Sequence, residues 1–380
     1  MSESTSSPVD LIKTIDDQLK KVHTQSLDLS FNELLDMKEA GELDISPDYQ
    51  RLFQWSEGAR SRFIESLLLE MPVPPIYVVE NDDGKYLLID GLQRISSYLH
   101  FRGKLDAPHL DPPVKVGDWL VLSDCDIVKD LNGLTFQQLS IALQIKLKRS
   151  FVTVEVVRKG SDPKFKYHMF KRLNTGGDSL SQQQLRNCTI RLLDPTFNDF
   201  VIELSRTDDF KTCTEIITDE QRLTAFDQEL VLRFFALKNN RHNFSHDVAD
   251  FLTEYMEAVA DPDIDLEFDY GAEKEIFLKT FKILANTLGE KSFGLPNKKR
   301  DDVTKGFSVY HFEAVTIGLQ ASLQSIDIST QQKKDQFTAL LKSTKIDPEF
   351  IKITTGGGRN SKGPLRDRIK FVEDKIATLI

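Results

Sequence analysis

The densest chemistry in the 380-residue chain lies in Asp90-Gly91-Leu92-Gln93-Arg94. Aliphatic and aromatic residues precede it at strand spacing, and Leu92 to Phe101 follow at helical spacing. The pentapeptide is therefore expected where a strand ends and a helix begins. Backbone N–H groups point outward at such a junction, and the helix dipole favours an anion there. Gly91 allows close backbone approach. Arg94, in the first helical turn, can fork onto phosphate oxygens, and Gln93 can donate a hydrogen bond. Asp90 can bind a divalent cation or accept from a ribose hydroxyl. The same five residues also suit an ordinary strand–turn–helix joint with a solvated arginine.

Two further stretches carry candidate binding residues. Pro47-Asp48-Tyr49-Gln50-Arg51-Leu52-Phe53-Gln54-Trp55 packs stacking and hydrogen-bonding side chains into nine residues, a surface suited to a base. It equally suits a Pro-led turn whose aromatics pack on the core. The second runs from Phe170 through Asn174-Thr175-Gly176-Gly177-Asp178 to Leu185-Arg186-Asn187. It places a Gly-Gly turn between two helices and forms an anion-friendly nest, or simply a helix C-cap. No G-x-x-x-x-G-K-[ST] loop occurs, so the Walker A phosphate cradle is not expected.

The elements that must position these residues read as follows. Residues 1–28 are expected to form a poorly ordered leader. Ser30 and Glu33 form a capping box for a short helix that Gly41 ends. Ser56 caps a helix through Glu70, which Pro72, Pro74 and Pro75 stop. Ile76 to Glu80 and Lys85 to Ile89 read as a hairpin about Asn81-Asp82-Asp83-Gly84. Thr135 starts a helix through Lys148, and Phe151 to Val157 is the clearest strand. A helix over about 162–173 follows, and Ser181 caps the next. Beyond about 191 helical periodicity dominates, at 219–238, 247–260, 270–288, 308–322, 329–343 and 365–379. The expectation is an α+β fold: a domain over 29–190 with a small mixed sheet, then a mainly helical domain over 191–380.

Composition bounds the function. Hydrophobic residues make up 40% of the chain, enough to build cores and exclude wholesale disorder. No run of about 18 apolar residues exists, so no membrane partner is expected. Three widely spaced cysteines, Cys125, Cys188 and Cys213, point to a reducing, cytoplasmic compartment rather than a disulfide framework or zinc ribbon. The net charge is -10, but residues 247–275 alone hold 11 acidic residues against one lysine. Residues 141–191 hold 11 basic against 3 acidic residues, and residues 342–370 hold 8 against 3. Either basic stretch can line a phosphate or DNA-backbone groove, or form a solvated helix face.

Taken in order, P-x-Y-Q-R-x-x-x-W, I-E-S with the following P-x-P-P-I, D-G-x-Q-R and F-x-x-L-N-T-G-G-x-x-L-S-x-x-x-L-R-N resemble the bacterial family named for its DGQQR motif. That family is typified by the N-terminal half of the GmrSD type IV restriction enzymes, and its core is similar to the ParB/sulfiredoxin fold. The resemblance spans about residues 30–240. It implies binding and hydrolysis of a nucleoside triphosphate, ATP or GTP, with Mg²⁺, in a restriction or phage-defence system. Gln50, Arg51, Trp55, Asp90, Gly91, Gln93, Arg94, Asn174, Gly176, Gly177 and Arg186 fall on its binding positions. Asp90, Gln93, Arg94 and Glu65 are its expected catalytic residues, with Asp90 on the metal. Leu92 stands where the family usually has Gln, and Gln184 where a Glu commonly stands. The loss of that carboxylate weakens the case for hydrolysis more than for binding.

Full-length relatives append an HNH-type nuclease domain. Here only His242 and His246 hint at a metal pair, with no third ligand evident. The chain is thus expected to lack its own HNH domain and to work with DNA and a separate nuclease subunit. Two other readings are a ParB-like DNA-binding protein without catalysis and, less in keeping with the residues, a nuclease acting alone.

Overall fold

The computed structural model describes residues 8–45, 55–108, 110, 112–174, 181–191, 193–245, 247–264, 266–356 and 361–379. Its contacts divide the chain into two compact units, Met1–Leu180 and Ser181–Ile380. The cut falls N-terminal to the expected boundary near 191. Helix Gln182–Ile190 packs with helix Val248–Ala260 and so joins the second unit.

The first unit is built on a mixed five-stranded sheet of order β1-β5-β3-β4-β2. Its elements are α1 (Pro8–Leu19), β1 (Thr24–Ser30), α2 (Phe31–Ala40), β2 (Leu43–Asp44), α3 (Glu57–Leu68), β3 (Ile76–Glu80), β4 (Tyr86–Asp90), α4 (Leu92–Phe101), α5 (Ile141–Arg149), β5 (Phe151–Val157) and α6 (Pro163–Asn174). The expected leader is corrected for its described part. Residues Pro8–Leu19 form a helix, and Thr24–Ser30 is an edge strand antiparallel to β5. Its polar side chains are used in that pairing: Ser26 donates to Glu155 at 2.7 Å, and Asp28 accepts from Thr153 at 2.9 Å. β5 runs parallel to β3, β3 antiparallel to β4, and β4 parallel to β2.

The start signals read from sequence are physical caps. The hydroxyls of Ser30, Ser56 and Ser181 accept from the third residue of their helices, Glu33, Ala59 and Gln184. Gly41 ends α2 in the left-handed region at φ 74°. The helix expected over 135–148 is split: Phe136–Gln138 is a single 3-10 turn, and Ser140 caps a new helix, α5, by accepting from Leu143. The core gathers Ile64, Leu67, Ile76, Val78, Leu88, Leu99, Leu147 and Val154, all nearly inaccessible to water.

The second unit contains only helices and an isolated bridge among its described residues. The helix expected at 219–238 breaks at Ala225, which sits at φ 58°, so Asp219–Leu223 and Phe226–Asn240 are separate. Three helices that sequence reading did not name, Thr196–Ser205, Asp208–Cys213 and Pro348–Thr354, complete the bundle. Phe226–Asn240 runs through its centre, with Leu230 to Leu237 buried.

Alternating buried charges tie this centre to its neighbours. Arg186 reaches Glu229 at 3.4 Å, Arg233 reaches Glu229 at 2.9 Å and Glu313 at 2.7 Å, and Arg368 pairs with the other oxygen of Glu313. Arg368 also lies over the Tyr310 ring, 4.8 Å from its centroid. Asp247 and Asp269 of the acidic stretch cap helices, and Glu273 pairs with Lys238. Part of that local acidity is therefore structural. The described cysteines Cys125 and Cys213 are buried free thiols, with burial raising them to about 11 and about 12. No described helix is long and apolar enough to cross a membrane.

Candidate functional site at the end of strand β4

β4 delivers Asp90 to the end of the sheet. The β3–β4 register shifts there: Tyr77 pairs with Asp90, but Val78 pairs with Leu88, leaving Ile89 as an extra residue. Such a bulge bends the strand and re-aims the side chains after it. The chain then turns at Gly91, whose φ is 112°. A Cβ at this position would stand 2.8 Å from Ile76 Cγ1. Glycine is thus required twice, by the positive φ and by the close approach to β3. Gly91 has no side chain to cap α4, so the start of this helix carries no side-chain cap from its N-cap residue.

Arg94 folds back over this turn. One terminal nitrogen donates to Asp90 Oδ2 at 2.5 Å, and the other donates to the Pro74 carbonyl at 2.8 Å. The guanidinium is therefore held, not freely solvated: its side chain is 11% exposed against 40% for Asp90. Gln93 Oε1 accepts the backbone N–H of Trp55 at 3.1 Å. The Trp55 carbonyl accepts from Arg60 Nε at 2.7 Å, and Arg60 also meets His100 Nδ1 at 3.1 Å. Arginine has donors only, so His100 Nδ1 is the acceptor and the ring is neutral. Burial first, then the Arg60 charge, lowers the His100 pKa to about 4. The Arg60 contacts were not foreseen; an arginine one turn into a Ser-capped helix is too common a signal to single out.

Only parts of the other two sequence stretches are described in the first unit. Trp55, which follows 46–54, is bonded to Gln93 of α4, and β2, which precedes them, pairs with Tyr86 and Leu87 at the start of β4. Gln50 and Arg51 themselves lie outside the described residues, as do Gly176 and Gly177. α6, which ends at Asn174, packs against β4.

Other expected site residues have different work here. Glu65 is 2% exposed, and its carboxylate accepts the backbone N–H groups of Asp126, Ile127 and Val128 at 3.4, 3.1 and 2.6 Å. Both oxygens are spent on a loop, so the structure corrects its expected catalytic role. The Trp55 ring packs edge-on against Phe63 at 5.8 Å; this residue reaches the junction through its backbone rather than as an open stacking platform. Arg186, 3% exposed, binds Gln183, Thr253, the Ala249 carbonyl and Glu229 inside the second unit. It is a structural clamp there, not a phosphate ligand.

The two departures from the family pattern also have local causes. Leu92 packs half-buried on the core. Gln184 accepts from the Ser181 N–H at 2.8 Å and donates to the Leu223 carbonyl at 2.7 Å. A carboxylate there would turn lone pairs toward that carbonyl.

Several charges of the basic stretch 141–191 are already paired, and the stretch is shared between the two units. Lys146 pairs with Glu70, Arg158 with Glu80, and Arg186 and Arg191 belong to the second unit. Among the described residues no three His, Cys, Asp or Glu side chains group as a metal cage. Magnesium needs no such cage when polyphosphate oxygens complete its shell, and a single carboxylate such as Asp90 fits that arrangement.

Residues 31–191 match the family model described as GmrSD restriction endonuclease, N-terminal domain. No curated protein matches the chain. The matched span holds all three sequence stretches and the whole Asp90–Arg94 junction, and it supports a component of a restriction or phage-defence system. Residues 31–191 resemble the N-terminal half of the GmrSD type IV restriction enzymes.

Proposed function

We propose that the region 31–191 binds ATP or GTP with Mg²⁺ at the Asp90–Arg94 junction and hydrolyses it, as the nucleotide-dependent part of a restriction or phage-defence system. DNA would be the trigger, and a nuclease on a separate subunit would cut it. The Asp90–Arg94 ion pair at the start of a helix whose N-cap is glycine carries this reading. A magnesium nucleotide presents the complementary pair of charges, with the cation suited to Asp90 and the phosphates to Arg94 and the α4 amides.

The magnitudes favour such an exchange. A partly exposed ion pair contributes about 1 kcal/mol or less. A charge-assisted hydrogen bond from Arg to phosphate contributes about 1.5–3 kcal/mol. Arg94 is also kept aimed by the Pro74 carbonyl, so little side-chain entropy remains to be lost. Mg²⁺ supplies charge neutralisation between phosphates when bound. This chain's own residues orient the polyphosphate: Gly91 by close approach, Arg94 by charge, and Gln93 by holding the Trp55 flank.

Equilibrium binding of labelled ATP and GTP at millimolar Mg²⁺ tests the reading, with phosphate release measured in parallel. Arg94→Ala should weaken binding by about tenfold or more. Absence of binding to both nucleotides, or unchanged binding in Arg94→Ala, would overturn it. Binding without phosphate release would retain the site and remove the hydrolysis.

A further inference from the structure

The second unit carries a basic groove that the nucleotide reading does not use. One wall is helix Lys362–Ala377 and the other is the turn Arg241–Asn243 at the end of the central helix. The hollow has a volume of about 350 Å³. Among the described residues its lining includes Arg241, His242, Lys362, Arg366 and Lys370, with Glu373 as the one carboxylate. A second hollow of about 400 Å³ shares Arg241, His242 and Glu373 and extends the groove toward Asn239 and Gln320.

The cations are regularly placed. Lys362, Arg366 and Lys370 recur every four residues, so they line one helix face at steps of about 6 Å. Arg366 and Lys370 are 75% and 66% exposed, and they pair with Asp367 and Asp374 of the same helix, which are themselves solvated. Lys362 reaches across to the His242 carbonyl at 2.7 Å, which ties the two walls together. Arg241 pairs with Glu373 at 3.4 Å. The floor is the core pair Leu365 and Ile369.

Buried cations of the same basic stretch behave differently. Arg368 is committed to Glu313, and Lys345 donates to the Lys291 and Ser292 carbonyls at 3.1 and 2.6 Å. The stretch therefore sorts its charges: one set holds the bundle, and the other faces a groove.

We propose that this groove binds a nucleic-acid strand through its phosphodiester backbone, at a site separate from the Asp90–Arg94 junction. The argument is the geometry of the ligand's charge. A linear array of cations on both walls of an extended trough suits a chain carrying one negative charge per repeat, rather than a single compact anion. Recognition of this kind is sequence-independent and salt-sensitive.

The test is fluorescence anisotropy with a labelled 20-nucleotide single strand, as DNA and as RNA, at 50 and 200 mM KCl and without nucleoside triphosphate. The full chain is compared with Arg366→Ala/Lys370→Ala and with Lys362→Ala. Arg366 and Lys370 are solvated, so their replacement leaves the core intact, and circular dichroism checks this. The double variant should bind at least about tenfold more weakly at 50 mM, with a log–log salt slope reduced by about 1.4, or 0.7 per lost phosphate contact. The DNA and RNA arms show which strand is preferred. Unchanged affinity and slope in both variants would overturn the proposal, as would equal displacement of the strand by polyglutamate of matched charge. Arg94→Ala should leave this binding intact, which separates failure of the groove from failure of the nucleotide site.

Discussion

The side-chain oxygen of Gln93 accepts the backbone N–H of Trp55 at 3.1 Å. One amide therefore joins the helix after strand β4 to the segment that leads into α3. Gln93→Ala removes the acceptor and leaves a half-buried N–H to find water, at about 1 kcal/mol. Amide exchange at Trp55 should rise by about fivefold, and nucleotide affinity should fall by a similar factor. Gln93→Glu keeps an acceptor oxygen at the same place and should restore slow exchange. Loss of that protection in Gln93→Glu as well would show that the bond does not hold the segment.

Gly91 stands at φ 112° with its missing Cβ facing Ile76. Gly91→Ala meets both the backbone strain and the collision, together about 2–4 kcal/mol. Urea unfolding should report this as a lower midpoint with an unchanged slope. Adding Ile76→Ala to that variant removes the collision but not the strain, so the double variant should lose less than the sum of the two single changes.

Glu65 is a buried anchor of the 126–128 loop. Glu65→Gln turns an NH₂ group toward backbone donors and should destabilise the protein by about 2–3 kcal/mol. The folded variant should bind nucleotide with unchanged affinity. A selective loss of phosphate release with normal stability would instead return Glu65 to the chemistry.

His100 is neutral in the fold, held near pKa 4 by burial and by Arg60. An unfolded histidine titrates near 6.5. Between these values the unfolded chain binds the extra proton, so the contribution is present above pH 6.5 and is lost as pH falls toward 4. The loss amounts to at most about 3 kcal/mol. His100→Gln can still accept from Arg60 and cannot titrate. Its stability should fall less steeply than that of the parent protein between pH 6.5 and 4, as followed by chemical denaturation at each pH. His311, lowered to about 3 by burial and Lys345, leaves a residual slope of the same sign.

The parts of this molecule that were legible in sequence are those decided over four or five residues. Ser30, Ser56 and Ser181 announce helix starts because a hydroxyl reaches an N–H three residues on. Gly91 announces a turn because only glycine relaxes there. Glu65 and Arg186 were misread because all but one of their partners sit 43 to 67 residues away, and nothing in their spacing separates a buried anchor from a ligand. β1 was hidden for the same reason: Thr24–Ser30 is polar, and its strand character comes from β5, over a hundred residues later. The Gln184 departure became intelligible only with the Leu223 carbonyl in view.

The buried chain of alternating charges in the second unit has a mechanical meaning. Arg368 makes helix Lys362–Ala377 a counter-ion of the bundle's interior. Peeling it back would leave Glu313 buried with half its compensation, at a cost of about 3–5 kcal/mol. Opening of this helix and loosening of Phe226–Asn240 should then be a single cooperative event. Amide exchange of the two should rise together as denaturant is added, and Arg368→Met with Glu313→Leu should uncouple them.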